Sequence, residues 1–250
     1  MIEDGNKKIE KIPPLSRLAQ WFFDCLFPKL CVDCKEEGEY WCKNCQTKPR
    51  LDYPTICFGC KKSDTMRGLC FDCQPRYAFD GLLIAGDYEE VVIKTLIRSL
   101  KYRFIKEMSL SLSLLLRKKV KQFLLEIPVD SLMNENFFNA VVVSIPLSRK
   151  RMRSREFNQA EILGKEIAHY CGLRFRPDLL FRSHRPPQAK LSEAERQENL
   201  KGSFFIKGDV PELIILVDDV ITTGATLQES SLVLKQAGAQ EIWALVVAKG

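Results

Sequence analysis

The sequence predicts an α/β protein with a central parallel sheet, preceded by a small cysteine-rich metal module. Three observations carry that prediction. Short continuous apolar runs, Ala140 to Ile145 (AVVVSI), Leu213 to Val217 (LIILV) and Ile242 to Val247 (IWALVV), read as strands buried on both faces. Between them lie stretches with apolar residues at helical spacing, and strands alternating with helices build parallel sheets. Ahead of both, eight of the ten cysteines fall into four CxxC pairs.

The 250 residues, 46% apolar and 28% charged, give room for one full-sized core and one small module, and they exclude a disordered chain, a collagen or a membrane bundle. No apolar run reaches the ~18 residues of a spanning helix, because Asp24 interrupts Trp21 to Leu26 and serines interrupt Leu110 to Leu116. The opening MIEDGNKKIEKIPP carries acidic residues where a signal peptide is basic, and no apolar stretch with a small-residue cleavage site follows in order, so the expected location is cytoplasmic. Residues 1–24 end in Trp21, Phe22 and Phe23, with Leu15 and Leu18 at helical spacing, which predicts a short amphipathic helix. Its apolar face packs on the metal module or, in the alternative reading, meets a partner or the inner face of the membrane peripherally.

Residues 25–77 form the cysteine module, too small to bury a core without metal. The pairs are Cys31/Cys34, Cys42/Cys45, Cys57/Cys60 and Cys70/Cys73, with Cys25 and Cys171 standing alone. A two-residue gap lets both thiolates of a tight turn face one ion, and two turns complete a tetrahedral site with no open position. Four copies of that spacing favour two structural zinc ions over redox dithiols or an iron–sulfur cluster. Consecutive pairing joins Cys31, Cys34, Cys42 and Cys45 in one site and Cys57, Cys60, Cys70 and Cys73 in the other, closing short local loops; interleaved pairing is the alternative. The formal charge of +6 falls to about +2 once eight thiolates hold two divalent ions. Any nucleic-acid role therefore needs a local patch, and Lys61, Lys62 and Arg67 with Phe58 and Phe71 offer a modest one.

Residues 78–250 carry the second domain. Phe79 to Tyr88 reads as a strand or hairpin, Val91 to Ile127 as one long or two shorter helices, and Ser154 to Tyr170 as an amphipathic helix. A helix from Gly224 to Gln236 ends at Gly238. The most informative stretch is IILVDDVITTGATL, where a buried strand delivers Asp218 and Asp219 and is followed by Thr222, Thr223, Gly224, Ala225 and Thr226 at a helix start. Small residues let backbone N–H groups approach an anion, the helix N-terminus adds favourable potential, and hydroxyls add donors: together they make a cradle for a monophosphate. Two acids beside a phosphate would repel it, so they accept hydrogen bonds from vicinal hydroxyls or hold the water of a divalent cation. A ribose 5-phosphate meets both demands. A helix cap alone needs one such residue, and five stand here.

The order strand, Val-Asp-Asp, two residues, Thr-Thr-Gly-Ala-Thr resembles the signature of the type I phosphoribosyltransferases, which bind phosphoribosyl pyrophosphate (PRPP). With the cysteine pairs, SIPLSRKRMRSREFNQA and PPQAKLSEAERQENLKGSF, the chain from about Cys25 onward is similar to the ComF family of competence-associated phosphoribosyltransferase-like proteins, of the ComFC type. The resemblance implies a Rossmann-like phosphoribosyltransferase domain behind an N-terminal double zinc ribbon. It also implies Mg²⁺ bound with PRPP, a link to DNA uptake, and partners in single-stranded DNA and competence helicase-type proteins. It assigns the ribose hydroxyls to Asp218 and Asp219, the 5-phosphate to Thr222, Thr223, Gly224, Ala225 and Thr226, and the pyrophosphate to the loop around Pro146 to Arg149. A flexible lid falls at 182–202, with Arg196 and Asn199 the residues to test first and Gln188 next; Arg196 joins the two acids as a catalytic residue. A surface helix from Ser192 to Leu200 is the alternative for that stretch.

Three departures stand out. Enzymes acting on 6-oxopurines have an aspartate where this chain has Thr222, which argues against such a substrate. The family's Arg-Gly-Phe-Asn-Gln reads Arg155-Glu156-Phe157-Asn158-Gln159, and loss of glycine restricts positive backbone dihedrals. Lys190 replaces a usual glycine. The run RKRMRSR at 149–155 puts five cations in seven positions, open to three compatible readings: pyrophosphate binding, nucleic-acid contact, or a solvated face. If catalysis occurs, it transfers the 5-phosphoribosyl group from Mg-PRPP to an acceptor. The opposing reading is a non-catalytic adaptor that senses PRPP or binds single-stranded DNA. Neither histidine has a nucleophile or metal partner at suitable spacing, so a hydrolase triad is unsupported.

Overall fold

The computed structural model describes residues 28–48, 53–62, 65, 67–102, 107–126, 139–183 and 202–250. The expected N-terminal helix, Cys25, and the lid residues Gln188, Lys190, Arg196 and Asn199 lie outside the described residues. The chain divides into two compact units, Met1–Thr47 and Lys48–Gly250.

The described part of the first unit is built around four cysteines, with one turn of helix, α1 (Lys43–Gln46), and an isolated bridge between Leu30 and Glu37. Trp41 of this unit is 2% exposed.

The second unit holds the sheet. Its strands are β1 (Gly81–Asp87), β2 (Val141–Ser144), β3 (Arg174–Phe175), β6 (Leu213–Ile221) and β7 (Glu241–Lys249), in the order β1-β7-β6-β2-β3. Every pairing is parallel. The β-branched and aliphatic runs read from the sequence are therefore central strands, apolar on both faces because both faces are covered. Residues of even number on β2's neighbour β6, Ile214 and Leu216, join Leu82, Ile84, Val141, Val143 and Ile242 in one cluster with Leu227 and Leu234 of α6 (Ala225–Gln236). The opposite face receives α3 (Met108–Glu126) and α5 (Gln159–Cys171), and α2 (Val91–Tyr102) packs on α3. Val91 to Ile127 thus resolves into two helices, and Phe79 to Tyr88 into one strand paired with β7 rather than a hairpin.

Two differences from the sequence reading bear on the site. Where one helix is expected over Ser154 to Tyr170, the chain forms α4 (Arg149–Arg155) and α5, separated by Glu156–Asn158. The break has a local cause: Glu156 takes a left-handed conformation (φ 61°), and Asn158 caps α5 by accepting from the Ala160 N–H at 3.2 Å. Secondly, β4 (Leu180–Arg182) and β5 (Phe204–Ile206) pair antiparallel, so the ends of the 184–201 segment are held side by side. The Ser183 N–H extends that pairing to the Ser203 carbonyl at 2.7 Å.

Candidate functional site

Strand register places the two loops of interest at one edge of the sheet. Ser144, the last residue of β2, is level with Val217 of β6, and the Ile145 N–H donates to the Val217 carbonyl at 2.9 Å. Pro146 to Arg149 therefore leaves the sheet beside Asp218. From β2 the chain runs outward to β3, whereas from β6 it runs the other way to β7. The gap between β2 and β6 is thus a topological switch point, where open α/β sheets leave a crevice beyond their carboxyl ends.

The acids sit within β6, which runs on to Ile221 rather than stopping at Val217. Side chains alternate along a strand, so Asp218 and Asp219 leave the sheet on opposite faces. Asp219 meets Lys101 of α2, with Nζ 2.8 Å from Oδ2 and both side chains largely buried, at 14% and 13% exposure. Lys101 has no mark of this role in the sequence, because nothing in a helix pattern ties it to a strand more than a hundred residues away. Asp218 accepts from the Asp219 N–H at 2.8 Å. Burial, and then the neighbouring Asp219 charge, push the Asp218 carboxyl up to about 7, against the pull of Lys101 and Arg151. Arg182, at the end of β4, feels both Arg151 and Asp218, and burial lowers its pKa. Its guanidinium lies 5.3 Å from the centre of the Phe204 ring. Two arginines from separate elements thus share the surroundings of Asp218, and of these Arg182 is indistinguishable by sequence from the polar stretch around it.

The turn after β6 exposes Thr222 and Thr223, buries Gly224, and leaves Ala225 and Thr226 half-buried at the start of α6. Gly224 has φ 80° and ψ 0°, a conformation glycine adopts without a Cβ penalty. Thr223 Oγ1 accepts from the Ala225 N–H at 3.4 Å, and the Gln228 N–H donates to the Gly224 carbonyl at 2.8 Å. On the facing loop, Pro146 is half-buried and Arg149 exposed. Ser148 caps α4 through the Arg151 N–H at 3.4 Å, leaving Arg149, Arg151 and Arg153 exposed and Arg155 bonded to Gln159 at 3.2 Å. Asn158 ties α5 back to the sheet by donating to the Ile145 carbonyl at 3.0 Å.

The four CxxC pairs gather consecutively: Cys31, Cys34, Cys42 and Cys45 in one cluster, and Cys57, Cys60, Cys70 and Cys73 in the other, with sulfurs in each within 4.8 Å of one another. Sulfurs on a tetrahedral zinc at ~2.3 Å stand about 3.8 Å apart. Cys34 and Cys42 are 3.6 Å apart, and Cys60 and Cys70 3.8 Å, so each donor set fits a structural zinc ion. The two quartets repeat one geometry. Lys35 and Lys61 follow the first pair of each with φ 66° and 62°, donating to the Cys31 and Cys57 carbonyls at 3.0 and 2.9 Å. The Cys42 and Cys70 N–H groups reach the Cys31 and Cys57 sulfurs at 3.5 and 3.3 Å. Although burial raises it, the Cys31 thiol is held down to about 6 by amide N–H groups of Cys42, Cys34 and Asp33, which favours a thiolate ligand.

The basic-aromatic patch expected around these knuckles is only partly present. Phe58 is 8% exposed and cannot stack on a base, whereas Phe71 is 94% exposed. Lys61 lies over the Phe58 ring at 4.7 Å and Arg67 over the Trp243 ring at 5.4 Å. Cys171 is half-buried at the end of α5, and burial raises its thiol, as suits a packed rather than a reactive residue. No helix among the described residues is long and apolar enough to cross a membrane.

No protein-family model matches the chain. It is 26% identical over 230 residues to competence protein F of Haemophilus influenzae, covering 82% of this chain and 95% of that one. It is 29% identical over 232 residues to the DNA utilization protein YhgH of Escherichia coli K12, covering 87% and 96%. Over 104 residues, 40% of this chain and 44% of the other, it is 36% identical to competence protein ComFC of Streptococcus pneumoniae. The solved structure of TT1426 from Thermus thermophilus aligns at a TM-score of 0.24 and 15% identity, over 44% of this chain and 74% of that one. Similar to two of these proteins along nearly their whole length, the chain is a homologue of competence protein F, ComFC and YhgH, the ComF kind that its motifs resemble.

Proposed function

We propose that the crevice between β2 and β6 binds PRPP, and that the chain transfers the 5-phosphoribosyl group to an acceptor in the service of DNA uptake. The observation that carries this reading is the strand register, which sets Pro146 to Arg149 and Asp218 to Thr226 against one switch point. In this reading the N-terminus of α6, with Thr222, Thr223 and Thr226, takes the 5-phosphate, and Asp218 accepts from the ribose hydroxyls. Asp219, engaged by Lys101 on the opposite face of β6, fixes the strand end that carries Asp218, and Mg²⁺ bound with PRPP would supply partial neutralisation of the phosphate charge. Arg149, Arg151 and Arg182 face the pyrophosphate, whose leaving charge they stabilise. Residues 182–202, through Gln188, Arg196 and Asn199, close over the ribosyl centre and exclude water. The fold in this reading is that of a type I phosphoribosyltransferase.

The names of the homologues, competence protein and DNA utilization protein, support the place in DNA uptake. A second reading, an adaptor that binds single-stranded DNA, is favoured by the exposed Arg149, Arg151 and Arg153 on one short helix. Calorimetric titration of zinc-loaded protein with PRPP and Mg²⁺ separates the two. Micromolar binding that disappears in an Asp218→Asn/Asp219→Asn variant supports the ribosyl-phosphate site. No binding by folded wild type overturns it, and DNA affinity that falls steeply with salt and depends on the three arginines then supports the adaptor.

A further inference from the structure

The turn that the proposed function assigns to the 5-phosphate does not stand on its own residues. Gly224 is buried, and the atom that walls it is the Phe58 ring: a Cβ at Gly224 would meet Phe58 Cε1 at 3.2 Å and Cζ at 3.4 Å. Phe58 lies inside the Cys57–Cys60 knuckle, one residue from a metal-binding sulfur. Its ring is fixed from the other sides by Tyr77, edge-on at 5.8 Å, and by the Lys61 ammonium at 4.7 Å. A second tether runs beside it. Gln228, in the first turn of α6, accepts from the Ala78 N–H at 2.9 Å while its own N–H closes on the Gly224 carbonyl. Ala78 follows Tyr77, and Tyr77 packs on Phe79 at 5.1 Å. Cys57, Phe58, Leu69 and Cys73 all belong to the core cluster that holds Leu227 of α6.

From this contact we infer that the second quartet, acting through Phe58, positions the 222–226 turn, so that metal occupancy at Cys57, Cys60, Cys70 and Cys73 is thermodynamically linked to phosphate binding at the turn. The phosphate half of this inference rests on the PRPP reading; the positioning half does not. The physical basis is the size of the knuckle. Only a shared ion would tie the four sulfurs, which lie within 4.8 Å of one another, into one unit, and without it the two-residue loop carrying Phe58 loses the constraint that presses the ring on Gly224. The left-handed turn then opens to other conformers, and the N–H groups that converge on an anion lose their preorganisation. Linkage is reciprocal: whatever the metal adds to phosphate affinity, phosphate adds to metal affinity. Phe58 is a positioning residue, since its ring faces the back of the turn.

The test uses zinc-loaded full-length protein with Phe58→Ala, Phe58→Leu and, as control, Phe71→Ala at the 94% exposed position of the facing knuckle. Two readouts are taken: amide hydrogen exchange of the 222–228 segment without ligand, and calorimetric PRPP affinity with Mg²⁺. Phe58→Ala should keep two zinc ions per chain, exchange about tenfold faster across 222–228 and bind PRPP about tenfold more weakly, within the usual range of coupling between sites. Phe58→Leu, which keeps apolar bulk, should fall between, and Phe71→Ala should match wild type. In wild type, PRPP should slow zinc capture by a chelator, and Phe58→Ala should abolish that protection. Unchanged exchange at 222–228 in a zinc-loaded Phe58→Ala protein overturns the positioning. Exchange that rises while wild type binds no PRPP keeps the positioning and overturns the PRPP reading alone. Exchange that rises with PRPP affinity unaltered overturns the linkage.

Discussion

Asp218 is held in a conformationally useful and electrostatically costly place. Its carboxyl, pushed up to about 7, keeps in the folded protein a proton that the unfolded chain releases near pH 4. Stability contributed by this group is therefore fullest at low pH, declines between about pH 4 and 7, and levels off above. Asp218→Asn should melt at the same temperature as wild type near pH 4 and several degrees higher at pH 8, a comparison that thermal melts at the two pH values make directly. The same variant should lose PRPP, because an ionised acceptor for ribose hydroxyls is gone, and wild-type affinity should climb as pH passes 7. A site residue that is stabilising when removed is what a binding function, rather than a folding one, would leave behind. Glu156 shows the reverse case. It sits at φ 61° where the related motif has glycine, and a non-glycine residue there costs roughly 1 kcal/mol. Glu156→Gly should raise stability by about that amount, visible as a melting shift of ~2–4 °C.

Elements meet at the site through a few pairs that cross between them. Lys101 on α2 and Asp219 on β6 form a largely buried ion pair, and removing one partner strands a charge. Lys101→Met should cost about 3 kcal/mol in urea unfolding, and adding Asp219→Asn should recover most of it, which a double-mutant cycle measures. Strand β6 also shows what sequence pattern can and cannot supply. Its apolar half, Leu213 to Val217, is legible because both faces are buried, and the same holds for β2 and β7. Its second half opens on two acids, Asp218 and Asp219, which end the apolar run at Val217, yet parallel pairing with β7 carries the strand on to Ile221, level with Lys249. Helix α4 is hidden for another reason: Glu156 itself carries no mark of a left-handed residue, and only the glycine that the related motif has at its position hints at the break before Asn158. Strands β4 and β5, three residues each, are too short for any period to register. By contrast the composition of the 222–226 turn is readable, since small and hydroxylated residues after a strand form a local pattern, whereas the Phe58 ring that walls Gly224 is a tertiary contact no pattern shows.

At the scale of the whole molecule, two metal quartets with one geometry occupy different mechanical positions. In sequence they are interchangeable, four cysteines at similar spacing, and each repeats the lysine at positive φ and the amide bond to the first sulfur. The division of the chain after Thr47 separates them: the first quartet lies in the Met1–Thr47 unit and the second in the Lys48–Gly250 unit, where Cys57 and Cys73 share a core with Phe79, Leu82, Ile84 and the sheet. Metal in the second quartet therefore adds its binding energy to the folding of the sheet itself, whereas metal in the first stabilises its own small unit. Cys42→Ser and Cys70→Ser should each leave one zinc ion per chain by metal analysis, yet differ in calorimetry. Cys42→Ser should leave the main unfolding transition where it is in wild type. Cys70→Ser should lower it by about 10 °C or more, because even ~4 kcal/mol of metal-derived stability amounts to that shift in a unit of this size. Equal shifts for the two variants would mean that the units melt as one and that the division after Thr47 carries no energetic weight. A lowered transition in Cys70→Ser accompanied by weaker PRPP binding, against unaltered binding in Cys42→Ser, would place the second ion within the working machinery of the sheet unit.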